Sequence, residues 1–107
     1  MALDILQAEE HGHTVLQVRG EVDLYSSPDL RAALLKAIEG GTRAVAVSLA
    51  EVSYMDSSGV ATLVEALKAT GKSKTAFVLL APSQPVMKVL HLSRLDTVFT
   101  IRESLAE

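Results

Sequence analysis

The hydrophobic pattern changes period along the chain, and each change marks a new element. Residues 3–8 alternate weakly, with Leu3, Ile5 and Gln7 against Asp4, Leu6 and Ala8, as in an opening strand. Glu9-Glu10-His11-Gly12-His13 is a polar turn with a glycine free to take positive φ. Residues 14–22 then alternate again, with Leu16, Val18 and Gly20 on one face and Val15, Gln17 and Arg19 on the other. Together the two runs predict an antiparallel hairpin. At Ser26-Ser27-Pro28-Asp29 the signals become helical: either serine can cap, Pro28 suits the first turn and Asp29 complements the dipole. Leu30, Leu34, Leu35 and Ile38 follow as an apolar stripe, and Gly40-Gly41 ends the helix.

Residues 44–49 (Ala-Val-Ala-Val-Ser-Leu) form a nearly continuous apolar run, as expected for a strand near the sheet centre that is covered on both faces. Residues 50–54 lead from it to a turn at Met55-Asp56-Ser57-Ser58-Gly59. Val60, Leu63, Val64 and Leu67 then line one side of a second helix, leaving Ala61, Thr62, Glu65, Lys68 and Ala69 outside. Gly71-Lys72-Ser73-Lys74 closes that helix, and residues 75–81 read as another buried strand. Ser83-Gln84-Pro85 starts a third helix with Val86, Met87, Val89 and Leu90 inward. Residues 98–101 predict a short last strand, followed by a helical tail. The order β-β-α-β-α-β-α-β is that of a single α/β domain spanning residues 1–107: a mixed, mostly parallel sheet with an N-terminal antiparallel hairpin and packed helices. Sites in such sheets lie outside the carboxyl ends of strands, where both residues 21–27 and residues 56–59 fall.

Composition narrows the functional classes. With 49% hydrophobic residues but two Phe, two Tyr and no Trp, the core must be aliphatic. A net charge of -3 provides no basic footprint for nucleic acid. There is no cysteine, which removes disulfides and thiolate metal sites and fits a reducing cytoplasm. Met1-Ala2-Leu3-Asp4 lacks the basic and apolar regions of a signal peptide, and the apolar runs are far short of the roughly 20 residues of a membrane span. The expectation is a cytoplasmic domain without membrane insertion. His11 and His13 have the spacing of two metal ligands but no third, so a solvated turn is expected and no metal or other cofactor.

The chemistry concentrates at residues 55–59. An acid and two hydroxyls at a strand-to-helix turn are ordinary capping residues, but free N–H groups and the positive end of a helix dipole also favour an anion there. The turn is thus a candidate phosphate site. A hydrolase reading, built on Ser57 with a histidine and Asp23 or Asp56, lacks a Gly-x-Ser-x-Gly elbow, and the histidines fall in the hairpin turn or at the third helix. His91, between Leu90 and Leu92, is expected in the packed end of that helix. Phosphate-binding and dinucleotide glycine patterns are absent, so no intrinsic catalysis is expected.

Gly20-Glu21-Val22-Asp23 and residues 52–59 (Val-Ser-Tyr-Met-Asp-Ser-Ser-Gly), each at a strand end, closely resemble the STAS-domain family of bacterial anti-sigma factor antagonists. The resemblance extends to residues 25–30 and to Leu90-His91-Leu92-Ser93-Arg94-Leu95. It implies partner switching in transcriptional regulation: the unphosphorylated antagonist binds an anti-sigma serine kinase of the GHKL type and frees the sigma factor. Phosphorylation releases it, and a PP2C-type phosphatase restores it. By position, the resemblance makes Ser57 the phosphorylated residue, with Ser58 the lesser candidate. It places Glu21, Asp23, Tyr25, Asp56, Ser58, Gly59, Thr62 and Glu65 on the partner-binding surface, and leaves ATP and magnesium to the kinase. One stretch departs from the pattern: Val60-Ala61-Thr62-Leu63-Val64-Glu65 stands where many members have Leu-Gly and further small or apolar residues. The alternative that the resemblance allows is a STAS subunit of a lipid or anion transport complex.

Overall fold

The computed structural model describes residues 3–106; Met1 and Ala2, read above for a leader sequence, lie outside the described residues. Among the described residues the elements are β1 (Asp4–Glu10), β2 (His13–Val22), α1 (Ser27–Glu39), β3 (Ala44–Met55), α2 (Ser57–Ser73), β4 (Ala76–Leu80), α3 (Gln84–Leu92) and β5 (Thr100–Arg102). The strands lie in the sheet in chain order, β1 antiparallel to β2 and the rest parallel, with β3 in the middle. The predicted hairpin, central strand and three helices are all present.

Strand order has a consequence for the layers. Each crossover steps to the next strand in the same direction, and crossovers of one hand then deliver every helix to the same face. The side chains agree: Leu16, Val18, Val22, Val45, Val47, Leu49, Phe77 and Leu79 share one core with Leu30 and Leu34 of α1, Leu63 and Ala66 of α2, and Val86 and Leu90 of α3. Stiff β-branched side chains line the strands and Leu fills the helices, which suits a core with few aromatic rings. The opposite face holds a smaller cluster of Val15, Ala46, Val78 and Leu80. Its cover is Leu105, and residues 103–106 form an irregular segment with bends at Glu103 and Leu105, not the expected helical tail. Once Leu105 packs across the back of the sheet, the short segment beyond β5 cannot coil.

Other expectations shift in detail. β3 does not stop at Leu49 but runs to Met55, because β2 continues beside it: Gly20 pairs with Val52, Glu21 with Tyr54 and Val22 with Met55. The register slips twice along this pair, and Gly20 takes φ 119 next to one slip, a bulge geometry that a side chain would strain. Leu35 is only half-buried, and Ala37 takes its place in the stripe. α2 passes through Gly71 and ends at Lys74, whose left-handed φ of 57 caps it. His91 is exposed rather than packed, its Nδ1 3.2 Å from Asp96 Oδ2.

Candidate functional site

Both turns flagged in the sequence leave the carboxyl edge of the sheet, and the fold ties them together. The Asp56 N–H donates to Val22 O at 3.1 Å, which joins the end of β3 to the end of β2. Asp56 is the N-cap of α2, and its Oδ1 accepts the N–H groups of Ser58 at 2.9 Å and Gly59 at 3.3 Å. The Ser58 hydroxyl donates to the same oxygen. These donors hold the Asp56 carboxyl below the usual carboxylate range. The Ser58 hydroxyl contributes most, burial opposes it, and the N–H groups of Gly59, Ser58 and Leu24 add to it.

Ser57, the first residue of α2, is exposed, and among the described residues its hydroxyl has no hydrogen-bond partner. The two serines are therefore not equivalent: Ser58 is part of the cap and Ser57 is left over. Two of the N–H groups that sequence reasoning offered to a phosphate are occupied by Asp56. An anion on Ser57 would sit beside a carboxylate rather than replace one.

Gly59 allows the turn to close. A Cβ there would lie 2.7 Å from Met55 Cγ and 2.8 Å from Val22 Cγ1, so the start of α2 approaches the two strand ends more closely than any side chain permits. Gly59 is buried; it shapes the surface without presenting itself to a partner.

The second turn is built in the same way. Asp23 Oδ1 accepts the N–H groups of Tyr25 at 2.9 Å and Ser26 at 3.0 Å, and Asp23 O accepts that of Ser27 at 2.8 Å. Ser26 occupies the N-cap position of α1 but does not cap it; its hydroxyl donates to Glu21 O at 2.7 Å and accepts the Asp23 N–H at 2.9 Å. Asp23 therefore has a structural task in the turn beside the partner-recognition role expected of it. Sequence reasoning passed over Leu24 and Tyr54, which stand exposed at this edge. The signal for Leu24 was a large apolar residue beside a carboxylate, outside any apolar periodicity.

The expected face of α2 needs one correction. Thr62 is only 7% exposed, because its hydroxyl donates to Ser58 O at 2.9 Å and its methyl can then pack inward. It supports the turn from beneath and is not available on the surface. Glu65 is partly exposed but engaged: Arg31 Nε lies 2.9 and 2.8 Å from its two oxygens, bridging α1 and α2. That contact lowers the Glu65 pKa and raises that of Arg31, in each case chiefly through the shared hydrogen bond.

The strand-end motifs lie side by side, and comparison with known proteins gives them a family. The STAS domain profile matches residues 5–107. The chain belongs to the STAS domain family. An anti-sigma-B factor antagonist of Staphylococcus aureus is 30% identical over 103 residues, covering 96% of this chain and 95% of the relative. The crystal structure of an anti-sigma factor antagonist from Mycobacterium paratuberculosis superposes with a TM-score of 0.87 at 26% identity, over 96% of this chain and 87% of that one. SpoIIAA shares the fold at 23% identity, with TM-scores of 0.79 for its unphosphorylated form and 0.73 for its phosphorylated form from Bacillus. The alignments cover 95% of this chain in both cases, and 90% and 93% of the other.

The histidines of the rejected triad lie at the other end of the molecule. His11 sits in the β1–β2 turn and His13 begins β2, at the amino edge of the sheet, with His13 Nδ1 2.9 Å from His11 O. His91 ends α3, which runs back from the carboxyl edge. Among the described residues no helix is long and apolar enough to cross a membrane.

Proposed function

We propose that this STAS domain is a phosphorylation-controlled anti-sigma factor antagonist that binds an anti-sigma serine kinase of the GHKL type and is released when that kinase phosphorylates Ser57. A PP2C-type phosphatase resets it, and the protein itself performs no catalysis. The observation that carries the reading is the free hydroxyl of Ser57, exposed at the head of α2 beside a serine whose hydroxyl is committed to the Asp56 cap. A kinase can take the Ser57 oxygen without dismantling the helix start; at Ser58 it would have to break the cap.

The switch follows from charge. A phosphate adds about -1.5 to -2 at neutral pH, and with Asp56 already on the N–H groups of Ser58 and Gly59 its charge is only partly compensated. It joins the carboxylates of Asp56, Asp23 and Glu21 at one edge. A partner packed there meets like charge and a group that is costly to desolvate, and releases. The antagonist need not refold, because the surface and the cap stay as they are.

The test combines intact mass with binding. Incubated with its kinase, ATP and magnesium, the wild type should gain one phosphate and Ser57→Ala none, and Ser57→Asp should bind the kinase more weakly than the wild type. Equal binding by wild type and Ser57→Asp would sink the charge switch. Co-purification with a membrane ATPase, in place of a kinase, would favour the transport-subunit alternative.

A further inference from the structure

Two large apolar side chains, adjacent in the chain, are held in solvent at the signalling edge: Leu24 is 66% exposed and Tyr25 88%. On a loose loop this would mean little, since ordering the loop on contact offsets much of what burial gains. This loop is already ordered. The Tyr25 and Ser26 N–H groups are fixed on Asp23 Oδ1, the Ser26 hydroxyl ties Glu21 O to the Asp23 N–H, and the Ser27 N–H is fixed on Asp23 O. Leu24 and Tyr25 thus project from a backbone pinned on both sides. An aromatic ring with two torsions on a fixed backbone provides contact area at small entropic cost, the profile of an interface anchor.

The place is specific too. The root of this projection lies next to the phosphoacceptor turn: the Asp56 N–H donates to Val22 O at 3.1 Å, two residues before Leu24, and the Leu24 N–H helps to lower the Asp56 carboxyl pKa. Carboxylates flank it at Glu21, Asp23 and Asp56, while Arg31 on the following helix is bound to Glu65. A surface that fits here is an apolar pocket with a basic rim, continuous with whatever reaches Ser57.

We infer that Leu24 and Tyr25 form a preorganised apolar anchor inserted into the kinase partner, and that this anchor sets the affinity of the unphosphorylated complex while Ser57 only switches it. The inference rests on the proposed function, and its test separates the two. GHKL-type serine kinases encoded in the source genome are purified and screened for phosphate transfer to the wild-type chain. The kinase that transfers is then titrated, without nucleotide, with wild type, Leu24→Ala/Tyr25→Ala, Leu24→Met/Tyr25→Phe and Leu92→Ala. Leu92 is 71% exposed at the far end of α3 and controls for the loss of any exposed leucine.

The alanine pair should weaken binding at least about thirty-fold, the loss expected of an anchor, and raise the kinase KM in parallel. The conservative pair, which keeps the apolar bulk, and Leu92→Ala should stay within about threefold of wild type. Phosphate transfer to Ser57 with the alanine pair binding as tightly as wild type would overturn the anchor and leave the proposed function standing. Equal weakening by Leu92→Ala would also overturn it. If no kinase transfers phosphate to the wild type, the proposed function fails, and the anchor fails with it.

Discussion

The turns at Asp23 and Asp56 are built alike and end differently. In each, an aspartate at a strand end turns its carboxylate back onto backbone N–H groups that lead into a helix, and in each a nearby serine hydroxyl completes the ring of bonds. At the first turn both serines are buried, Ser26 in hydrogen bonds to Glu21 O and the Asp23 N–H. At the second, Ser58 closes the ring and Ser57 is left exposed, its hydroxyl without a hydrogen-bond partner among the described residues. Two serines after an aspartate therefore do not define a modification site. Under the proposed function, what would define one is a hydroxyl that is exposed as well as unneeded by the turn.

The sharpest way to break this comparison is to exchange the serines' roles. Ser57→Ala should abolish phosphate uptake from the serine kinase completely, because among the described residues no other serine or threonine hydroxyl at this edge is both exposed and unbonded. Ser58→Ala should retain it, and Ser26→Ala should retain it while lowering stability. Intact mass after incubation with kinase and ATP reads all three. Phosphorylation of the Ser57→Ala chain at Ser58 would show that the cap opens easily, and the distinction between the two serines would be lost.

The close approach beneath the second turn should give the next largest effect. Gly59→Ala places a methyl against Met55 and Val22, and overpacking of this kind costs about 1–3 kcal/mol, offset in part by the roughly 1 kcal/mol that Ala gains over Gly within a helix. A fall in the thermal midpoint of up to about 16 °C is expected, at roughly 4–8 °C per kcal/mol for a domain of this size. The two aspartates should then match each other. Asp23→Ala and Asp56→Ala each remove a carboxylate that satisfies two backbone N–H groups, and each should cost about 1–2 kcal/mol by urea unfolding. A much smaller loss at Asp23 would mean that its turn is held by Ser26 alone.

How far the sequence reveals all this depends on whether a residue's role is set by its own chemistry or by its neighbours. Periodicity reveals the hairpin, the helices and the central strand, because the alternation of Leu16 and Val18 or the spacing of Val60, Leu63 and Leu67 is imposed by the face each element buries. It missed the second half of β3, where the outward residues Glu51, Ser53 and Tyr54 mask an inward pair of Val52 and Met55. That half is a strand because the bulge at Gly20 lets β2 continue beside it. Thr62 scores as polar in any pattern, yet a bond to the carbonyl one turn back satisfies its hydroxyl and buries it. Leu105 was unreadable for the opposite reason: a single leucine in a polar tail shows its role only once the back of the sheet lacks a cover. At the site, the motifs located both turns and marked Ser57. That Asp56 already occupies the donors of Ser58 and Gly59, and that Asp23 holds the N–H groups of Tyr25 and Ser26 in its own turn, could not be read from the letters.

The smallest effect expected is also the one that isolates Asp56 as a charge. Its carboxyl is held below the usual carboxylate range, first by the Ser58 hydroxyl and then by backbone N–H groups, against an opposing effect of burial. A carboxyl whose folded-state pKa lies below its unfolded value, about 3.9 for aspartate, stabilises the fold fully above that unfolded value. The contribution fades as pH falls past 3.9 and is gone once pH drops below the folded-state pKa, because the proton then binds both states alike. Asp56→Asn keeps an N-cap oxygen for the same N–H groups but cannot titrate. Unfolding by urea at a series of pH values should therefore show wild type and Asp56→Asn converging as the pH is lowered through this window, with the wild type ahead above it. Parallel curves would mean that the cap works as a dipole and not as a charge. The Asp56 carboxylate would still be ionised at neutral pH, so the like-charge repulsion assigned to it beside a phosphorylated Ser57 would stand, while its charge would add nothing to the stability of the cap.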